Sequence, residues 1–356
     1  MTKKTIVFTG GGTAGHVTPN IAIINELDES KWDIKYIGSK KGIEKELIEN
    51  RNIPYYGIRS GKLRRYIDKE NIIDMFRVIK GCQEARSVLK KLKPALVFSK
   101  GGFVSVPVII AARSLGIPIF IHESDITPGL ANKISQRFST KIFTSFEETR
   151  AYFPSSKTTV IGSPIRKEIL SGDSIKGRQM LGFTKELPIL TIMGGSLGAK
   201  KINESVRGSL DELTKDYQIV HLCGKGNVDE SLVRVAGYKQ FEYVNEELAD
   251  ILAATDMVIT RGGSNSIFEF LALHIPMVII PLTRKQSRGD QILNAKSFEE
   301  KGFALKLEEE DLTRDSLSNA LHTLKAKRND YTEMMKSSKE SHALDILVEQ
   351  INAYHK

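Results

Sequence analysis

The chain has 356 residues, enough for two domains of ordinary size, and its 52 Lys and Arg against 43 Asp and Glu give a formal net charge of +9. Two distant cysteines, Cys82 and Cys223, exclude a disulfide framework and a zinc knuckle, and no apolar run approaches the roughly 20 residues that cross a bilayer. The charge favours an anionic partner, and nucleic acid is set aside because the aromatic RNA-binding motif, zinc-finger spacing and basic zipper are all missing.

The chain opens on "IVFTGGGTAGHVTPNIAI", residues 6–23, which reads as an apolar strand, three glycines, then a histidine and a proline before a helix. Lys3 and Lys4 precede an apolar run too short for a signal peptide, so a reducing cytosol is expected. Gly10, Gly12 and Gly15 follow the spacing G-x-G-x-x-G of dinucleotide-binding turns. The second strand, "DIKYIG" (33–38), ends in Gly38, Ser39, Lys40 and Lys41, without the acid that would hold a ribose. Residues 61–93 form a basic stretch with ten Lys or Arg against four Asp or Glu, and Ile72, Met75, Phe76 and Ile79 fall on one helical face. "ALVFSKGGFVSVP" (95–107) repeats the strand–glycine–helix pattern, as do "ILTIMGGSLGAKKIN" (189–203) and "MVITRGGSNSIFEF" (257–270). "FPSSKTTVIGSPIRKEIL" (153–170) reads as a loop, a short last strand and a crossing segment, which predicts domains over 1–163 and 164–340. Residues 341–356 carry Leu344, Ile346, Leu347 and Ile351 at helical spacing, a closing helix able to fold back on either half and assigned to the first.

Glycine lets the backbone come close to a ligand, and the helix that follows offers free N–H groups and a partial positive charge. Four such turns in equivalent places point to ligands at the carboxyl edges of two parallel sheets. Three chemistries compete. A dinucleotide oxidoreductase survives only in an NADP form, with Lys40 and Lys41 for the 2′-phosphate. A serine hydrolase would use "GGSLG" (194–198) with His322 or His342, yet no HGGG-type loop stands upstream and the sibling turns lack that serine spacing. Nucleotide-sugar transfer is the third. Without an Asp-x-Asp triplet, the charge on the leaving diphosphate must be met by amides, a helix dipole and a cation, which "GGSLGA" and Arg166 can supply. Glu269 lies in a run apolar enough for a buried helix and needs donors, either ribose hydroxyls or neighbouring amides. An attacking hydroxyl needs a general base, and His16, His122, Glu123 and Asp125 are the candidates in the first half. His16 directly follows the first turn, where it serves as the base or as a phosphate-contacting or capping histidine. His221, His274, His322, His342 and His355 read as structural or surface residues.

"GGTAGHVTP", "SKGGFVSVP", "HESDITPGLANK", "GGSLGAKKIN" and "RGGSNSIFEFLALHIPMVIIPL" with "DQILNA" stand in the order of the MurG family, which the chain resembles along essentially its whole length. MurG enzymes are the bacterial N-acetylglucosaminyltransferases of peptidoglycan synthesis. The resemblance implies an α/β protein of two Rossmann-like domains facing across a cleft, the glycosyltransferase-B fold. It implies inverting transfer of N-acetylglucosamine from UDP-N-acetylglucosamine to the C4 hydroxyl of the muramyl sugar of lipid I, giving lipid II. No cofactor and no metal are expected. On the donor side it places Arg166 and Ser196 at the diphosphate, Gln291 on the sugar hydroxyls, Glu269 on the ribose and the Val244 backbone on the uracil; Ser264 and Asn265, in the fourth turn, are assigned there too. The acceptor's diphosphate falls to Gly12, Thr13, Ala14, Gly15, Gly101 and Gly102, with His16 as first choice for the base and Glu123 as the runner-up. Asp125 departs from the family, which often has asparagine there in "HEQN", and puts a carboxylate close to an anionic acceptor. A lipid acceptor needs docking, so Ile72, Met75, Phe76 and Ile79 are expected to meet an anionic membrane on its cytoplasmic face, although the same pattern suits a core-facing helix with a basic rim. A related transferase acting on a diacylglycerol-type acceptor and a non-catalytic nucleotide-binding module are the other outcomes the residues allow.

Overall fold

The alternation of short β-branched runs with amphipathic stretches resolves into two parallel sheets covered by helices. The computed structural model describes residues 3–61, 69–184, 186–195, 198–338 and 342–355, with the backbone alone for 69–74 and 355. The chain divides into two compact units, Met1–Pro164 with His342–Lys356, and Ile165–Ser341. Both are Rossmann-like domains.

The first unit contains β1 (Lys4–Thr9), β2 (Trp32–Ser39), β3 (Tyr55–Ile58), β4 (Leu96–Ser99), β5 (Ile119–Glu123), β6 (Lys141–Thr144) and β7 (Thr158–Val160). Their order in the sheet is β3-β2-β1-β4-β5-β6-β7, every pair parallel, with Ile6 opposite both Ile34 and Leu96. The second unit contains β8 (Ile189–Met193), β9 (Gln218–Leu222), β10 (Tyr238–Phe241), β11 (Met257–Thr260), β12 (Met277–Ile279) and β13 (Ala304–Lys306). The order β10-β9-β8-β11-β12-β13 repeats the plan, again wholly parallel. Strand order reverses between β1 and β4 in one sheet and between β8 and β11 in the other. A crevice opens at the carboxyl ends of strands at such a switch point. The four glycine turns follow β1, β4, β8 and β11, so each crevice is edged by two of them.

Helices on both faces cover the sheets, and every residue of β4, β5 and β9 is buried, the polar ones included. One core joins Ile6, Phe8, Phe98 and Phe120 to Ala343, Leu344, Leu347 and Ile351 of the helix Ala343–Asn352. That helix is fastened further by the Trp32 indole N–H, which donates to Asn352 Oδ1 at 2.9 Å, and by Tyr354, edge-on to Phe120. Each fully buried Leu or Ile contributes about 1.5–3 kcal/mol. The core of the second unit gathers Leu190, Ile192, Ile202, Val206, Ile219, Ile259, Val278, Leu317 and Leu321.

Candidate active site

At the switch point of the first unit the two glycine turns pack backbone against backbone. Gly102 has φ +83°, and a Cβ there would lie 2.2 Å from the Gly11 carbonyl oxygen. No side chain fits between the turns, which explains the glycine pair of "SKGGF". Gly12 (φ +88°), Thr13 and Gly15 are exposed, and Ala14 and His16 are half-buried in a single 3-10 turn. The His16 amide donates to the Thr13 carbonyl at 3.1 Å, and the helix Thr18–Glu26 follows with Pro19 in its first turn.

The first turn already holds an anion. The Gly12 N–H donates to Glu44 Oε2 at 3.2 Å, and the Ser39 N–H and hydroxyl donate to Glu44 Oε1 at 3.0 and 2.5 Å. Glu44 is completely buried. An acid therefore does stand just beyond β2, five residues after Ser39, but it bonds the glycine loop itself. Nothing in "KKGIEKEL" announces this, because the contact spans 32 residues.

At the ends of β4 and β5 four further groups converge. The Lys100 ammonium lies 2.6 Å from His122 Nδ1 and 2.6 Å from Ser124 Oγ, and Lys100 is 2% exposed. His122 Nε2 faces the Gly162 carbonyl at 3.0 Å, so Nε2 carries the proton and Nδ1 accepts from Lys100. Burial, then the Lys100 charge, hold His122 well below the usual imidazole range. Burial brings Lys100 down to about 7 against the opposing pull of Glu123 and Asp125. Glu123 takes four donors: the Ser124 and Asp125 amides on Oε1 at 2.9 and 3.1 Å, and the Gly129 amide and Asn132 Nδ2 on Oε2 at 3.0 and 2.9 Å. Burial, then the charge of Asp125, raise its carboxyl above the ordinary value. With both oxygens engaged, Glu123 organises the loop that follows β5. Asn132 lies beneath the second turn, its Nδ2 also donating to the His122 carbonyl at 3.1 Å. Asp125, whose amide donates to Glu123, is half-buried.

In the second unit the helix Ser264–Ala272 begins directly after the fourth turn and carries Glu269. Arg166 Nη2 donates to Glu269 Oε1 at 3.3 Å, a partner 103 residues away. Burial raises the Glu269 carboxyl and the Arg166 charge opposes it. Arg166 Nε is buried with no hydrogen-bond partner among the described residues. Gln291, on the helix Asp290–Glu300, packs against the same turn, where a Cβ on Gly262 would lie 2.5 Å from its carbonyl oxygen. Its Oε1 accepts from the Leu282 amide at 3.1 Å, and Asn294 Nδ2 donates to the Gly262 carbonyl at 3.0 Å. Ser264 is buried and Asn265 half-buried in the first turn of the helix. Val244 lines an open pocket with Met180, Phe241, Tyr243 and Asn245. Ser196 lies outside the described residues. His221 is enclosed in β9, with Nδ1 2.8 Å from the Tyr238 hydroxyl and Nε2 2.9 Å from Asn203 Oδ1. Arg261, beside the fourth turn, is ion-paired with buried Glu309.

On the helix Lys69–Leu92, Met75, Phe76 and Ile79 are 58%, 66% and 51% exposed. The Ile72 side chain lies outside the description. Among the described residues no helix is long and apolar enough to cross a membrane, and no cluster of His, Cys, Asp and Glu has the makings of a metal site.

The N-terminal domain pattern of glycosyltransferase family 28 matches residues 6–144, and its C-terminal domain pattern matches residues 189–350. A protein of Shouchella clausii named UDP-N-acetylglucosamine--N-acetylmuramyl-(pentapeptide) pyrophosphoryl-undecaprenol N-acetylglucosamine transferase is 56% identical over 348 residues, 98% of each chain. A protein of the same name from Clostridium botulinum is 53% identical over 99% of this chain and 98% of its own. The crystal structure of Acinetobacter baumannii MurG superposes with a TM-score of 0.79 at 25% identity, covering 98% of this chain and 99% of that one. Doubly edged crevices, paired glycine turns and near-complete likeness to these enzymes lead to one conclusion: the chain belongs to glycosyltransferase family 28, among its MurG enzymes.

Proposed function

We propose that the chain moves N-acetylglucosamine from UDP-N-acetylglucosamine to the C4 hydroxyl of the muramyl sugar of lipid I, with inversion, and so makes lipid II for peptidoglycan. The observation that carries this reading is a likeness above 50% over nearly the whole length of relatives named for that transfer. The donor belongs to the second unit. Arg166, with its idle Nε, is aimed at the diphosphate, Ser196 and the third turn add hydroxyl and amides, and Ser264 and Asn265 add the N-terminus of their helix. Glu269 takes the ribose hydroxyls, Gln291 the sugar hydroxyls, and the Val244 backbone the uracil, in the pocket beside Tyr243. As the sugar bond breaks, negative charge grows on the β-phosphate, and these fixed dipoles and the guanidinium stabilise it.

The acceptor belongs to the first unit, its diphosphate on Gly12, Thr13, Ala14, Gly15, Gly101 and Gly102. The Gly12 amide is already engaged by Glu44, so what Gly12 offers the diphosphate is the close approach allowed by a residue without a Cβ, not a spare donor. His16 takes the proton of the C4 hydroxyl as it attacks the anomeric carbon from the face opposite UDP. The four donors on Glu123 favour His16 over it for that role. Met75, Phe76 and Ile79, with Ile72 in the same stripe, dock on the anionic cytoplasmic face of the cell membrane, where lipid I resides. No cofactor, metal or nucleic acid enters this scheme. Radiolabelled UDP-N-acetylglucosamine incubated with a lipid I analogue is expected to label the lipid at the same rate with and without EDTA. An unlabelled lipid, or labelling abolished by the chelator, overturns the reading.

A further inference from the structure

The scheme above gives Glu44 no role beyond occupying the Gly12 amide, yet its carboxylate is completely buried. A carboxylate taken out of water is costly unless donors meet it. Three do, the Gly12 N–H, the Ser39 N–H and the Ser39 hydroxyl, and all are neutral. Gly11, Gly38 and Gly42 leave the space, since a Cβ on any of them would run into the Glu44 side chain. Ser39 is itself anchored, its carbonyl accepting from the Tyr55 hydroxyl at 2.6 Å. The other end of the glycine turn is gripped as well, because the Tyr36 hydroxyl donates to the Gly10 carbonyl at 2.8 Å. Tyr36 and Tyr55 stack, their ring centroids 6.0 Å apart. Contacts thus run unbroken from β2 and β3 through Ser39 and Glu44 to Gly12. An apolar side chain could fill this space without a charge. A carboxylate differs in accepting at both oxygens, and its bonds to N–H groups are about twice as strong as neutral ones.

We propose that Glu44 is a positioning residue for the acceptor: by holding the Gly12 amide from within, its carboxylate sets the first turn in its diphosphate-binding shape before the lipid arrives. The phosphates then meet a backbone that is already ordered, and little binding energy is lost in ordering it. This rests on the assignment of the acceptor's diphosphate to the first turn.

The test compares the full chain with its Glu44→Gln and Ser39→Ala variants, reading kcat and KM for a lipid I analogue and KM for UDP-N-acetylglucosamine. Glu44→Gln turns an N–H toward a donor and should raise the acceptor KM about tenfold or more, with kcat within threefold and the donor KM within twofold. Removing a negative charge near a bound anion would by itself tighten the anion, so a loss here reports the shape of the turn and not its charge. Ser39→Ala keeps the Gly12 bond and should leave both KM values within twofold. An acceptor KM that is unchanged or lowered in Glu44→Gln, a donor KM that rises with it, or an equal loss in Ser39→Ala overturns the proposal. A second measurement needs no turnover. Gly12 is exposed, yet NMR of 15N-glycine-labelled protein should show its amide proton exchanging about tenfold more slowly in the wild type than in Glu44→Gln. Equal rates overturn the proposal, and if Glu44→Gln does not fold, a wild-type Gly12 amide that exchanges as fast as one in an unfolded chain does the same. A lipid I analogue that is glycosylated without shifting the Gly12 and Gly15 amide signals refutes the acceptor assignment, while the exchange rates still decide what sets the turn.

Discussion

Glu269 stands among Ile267, Phe268, Phe270 and Leu271 of its helix, all buried and apolar. A carboxylate in that company is held by the Arg166 guanidinium at 3.3 Å, so the two side chains fix one another's positions. Glu269→Gln and Arg166→Met should each lower kcat/KM for UDP-N-acetylglucosamine by about 1–3 kcal/mol, the cost of an unmet charged hydrogen bond. The double variant should lose less than the sum, and the acceptor KM should not change; steady-state kinetics with each substrate varied in turn reads both. That Glu269 needs donors was legible in the sequence, since a lone acid in an apolar helix must be satisfied; that Arg166, 103 residues away, supplies one was not. Nor were Glu44 and Lys100. Each makes its decisive contact across loops, to Gly12 in one case and His122 in the other, and no local pattern of "KKGIEKEL" or "VFSKGG" encodes those partners.

The strand–glycine–helix turns are the elements the sequence announces best. Their repetition is visible before any fold is known, and the strand order then explains it, because each turn edges a switch point. Histidines in strands are read less easily. His122 and His221 lie in central strands covered on both faces, so periodicity cannot say whether either is a ligand or a satisfied core residue. Their hydrogen bonds decide: each has both nitrogens engaged within its own unit. The amphipathic helix Lys69–Leu92 was ambiguous for a related reason, since a hydrophobic stripe suits a core as well as a membrane. With Phe76 and Ile79 mostly in solvent, changing both to serine should alter unfolding free energy by about 0.5 kcal/mol or less per site. Sedimentation with anionic vesicles should fall severalfold in the same protein. If the two residues were core, each change would instead cost about 2–5 kcal/mol in a denaturant titration.

At the scale of the whole molecule, the two units repeat one architecture but are not two consecutive stretches of chain. The first is completed by the helix Ala343–Asn352, whose spacing of Leu344, Leu347 and Ile351 announces a buried face without saying where it is buried. Trp32, more than 300 residues away, supplies part of the answer through Asn352. Removing residues 342–356 should destabilise the first unit by about 5 kcal/mol or more, from the buried aliphatic side chains lost. Calorimetry should show one transition moved down and one in place, with UDP binding retained. A ribosome reads the same arrangement in one direction only. Residues 165–341 are synthesised, and able to fold, before the helix that finishes the unit begun at the N-terminus has emerged. The half assigned to the lipid acceptor is thus started first and closed last, and during the interval the part of its core that Leu344, Leu347, Ile351 and Tyr354 cover, the Phe120 ring among it, waits exposed. Newly made chains should depend on chaperones over that half, and a fusion placed after residue 356 should burden it more than one placed before residue 1.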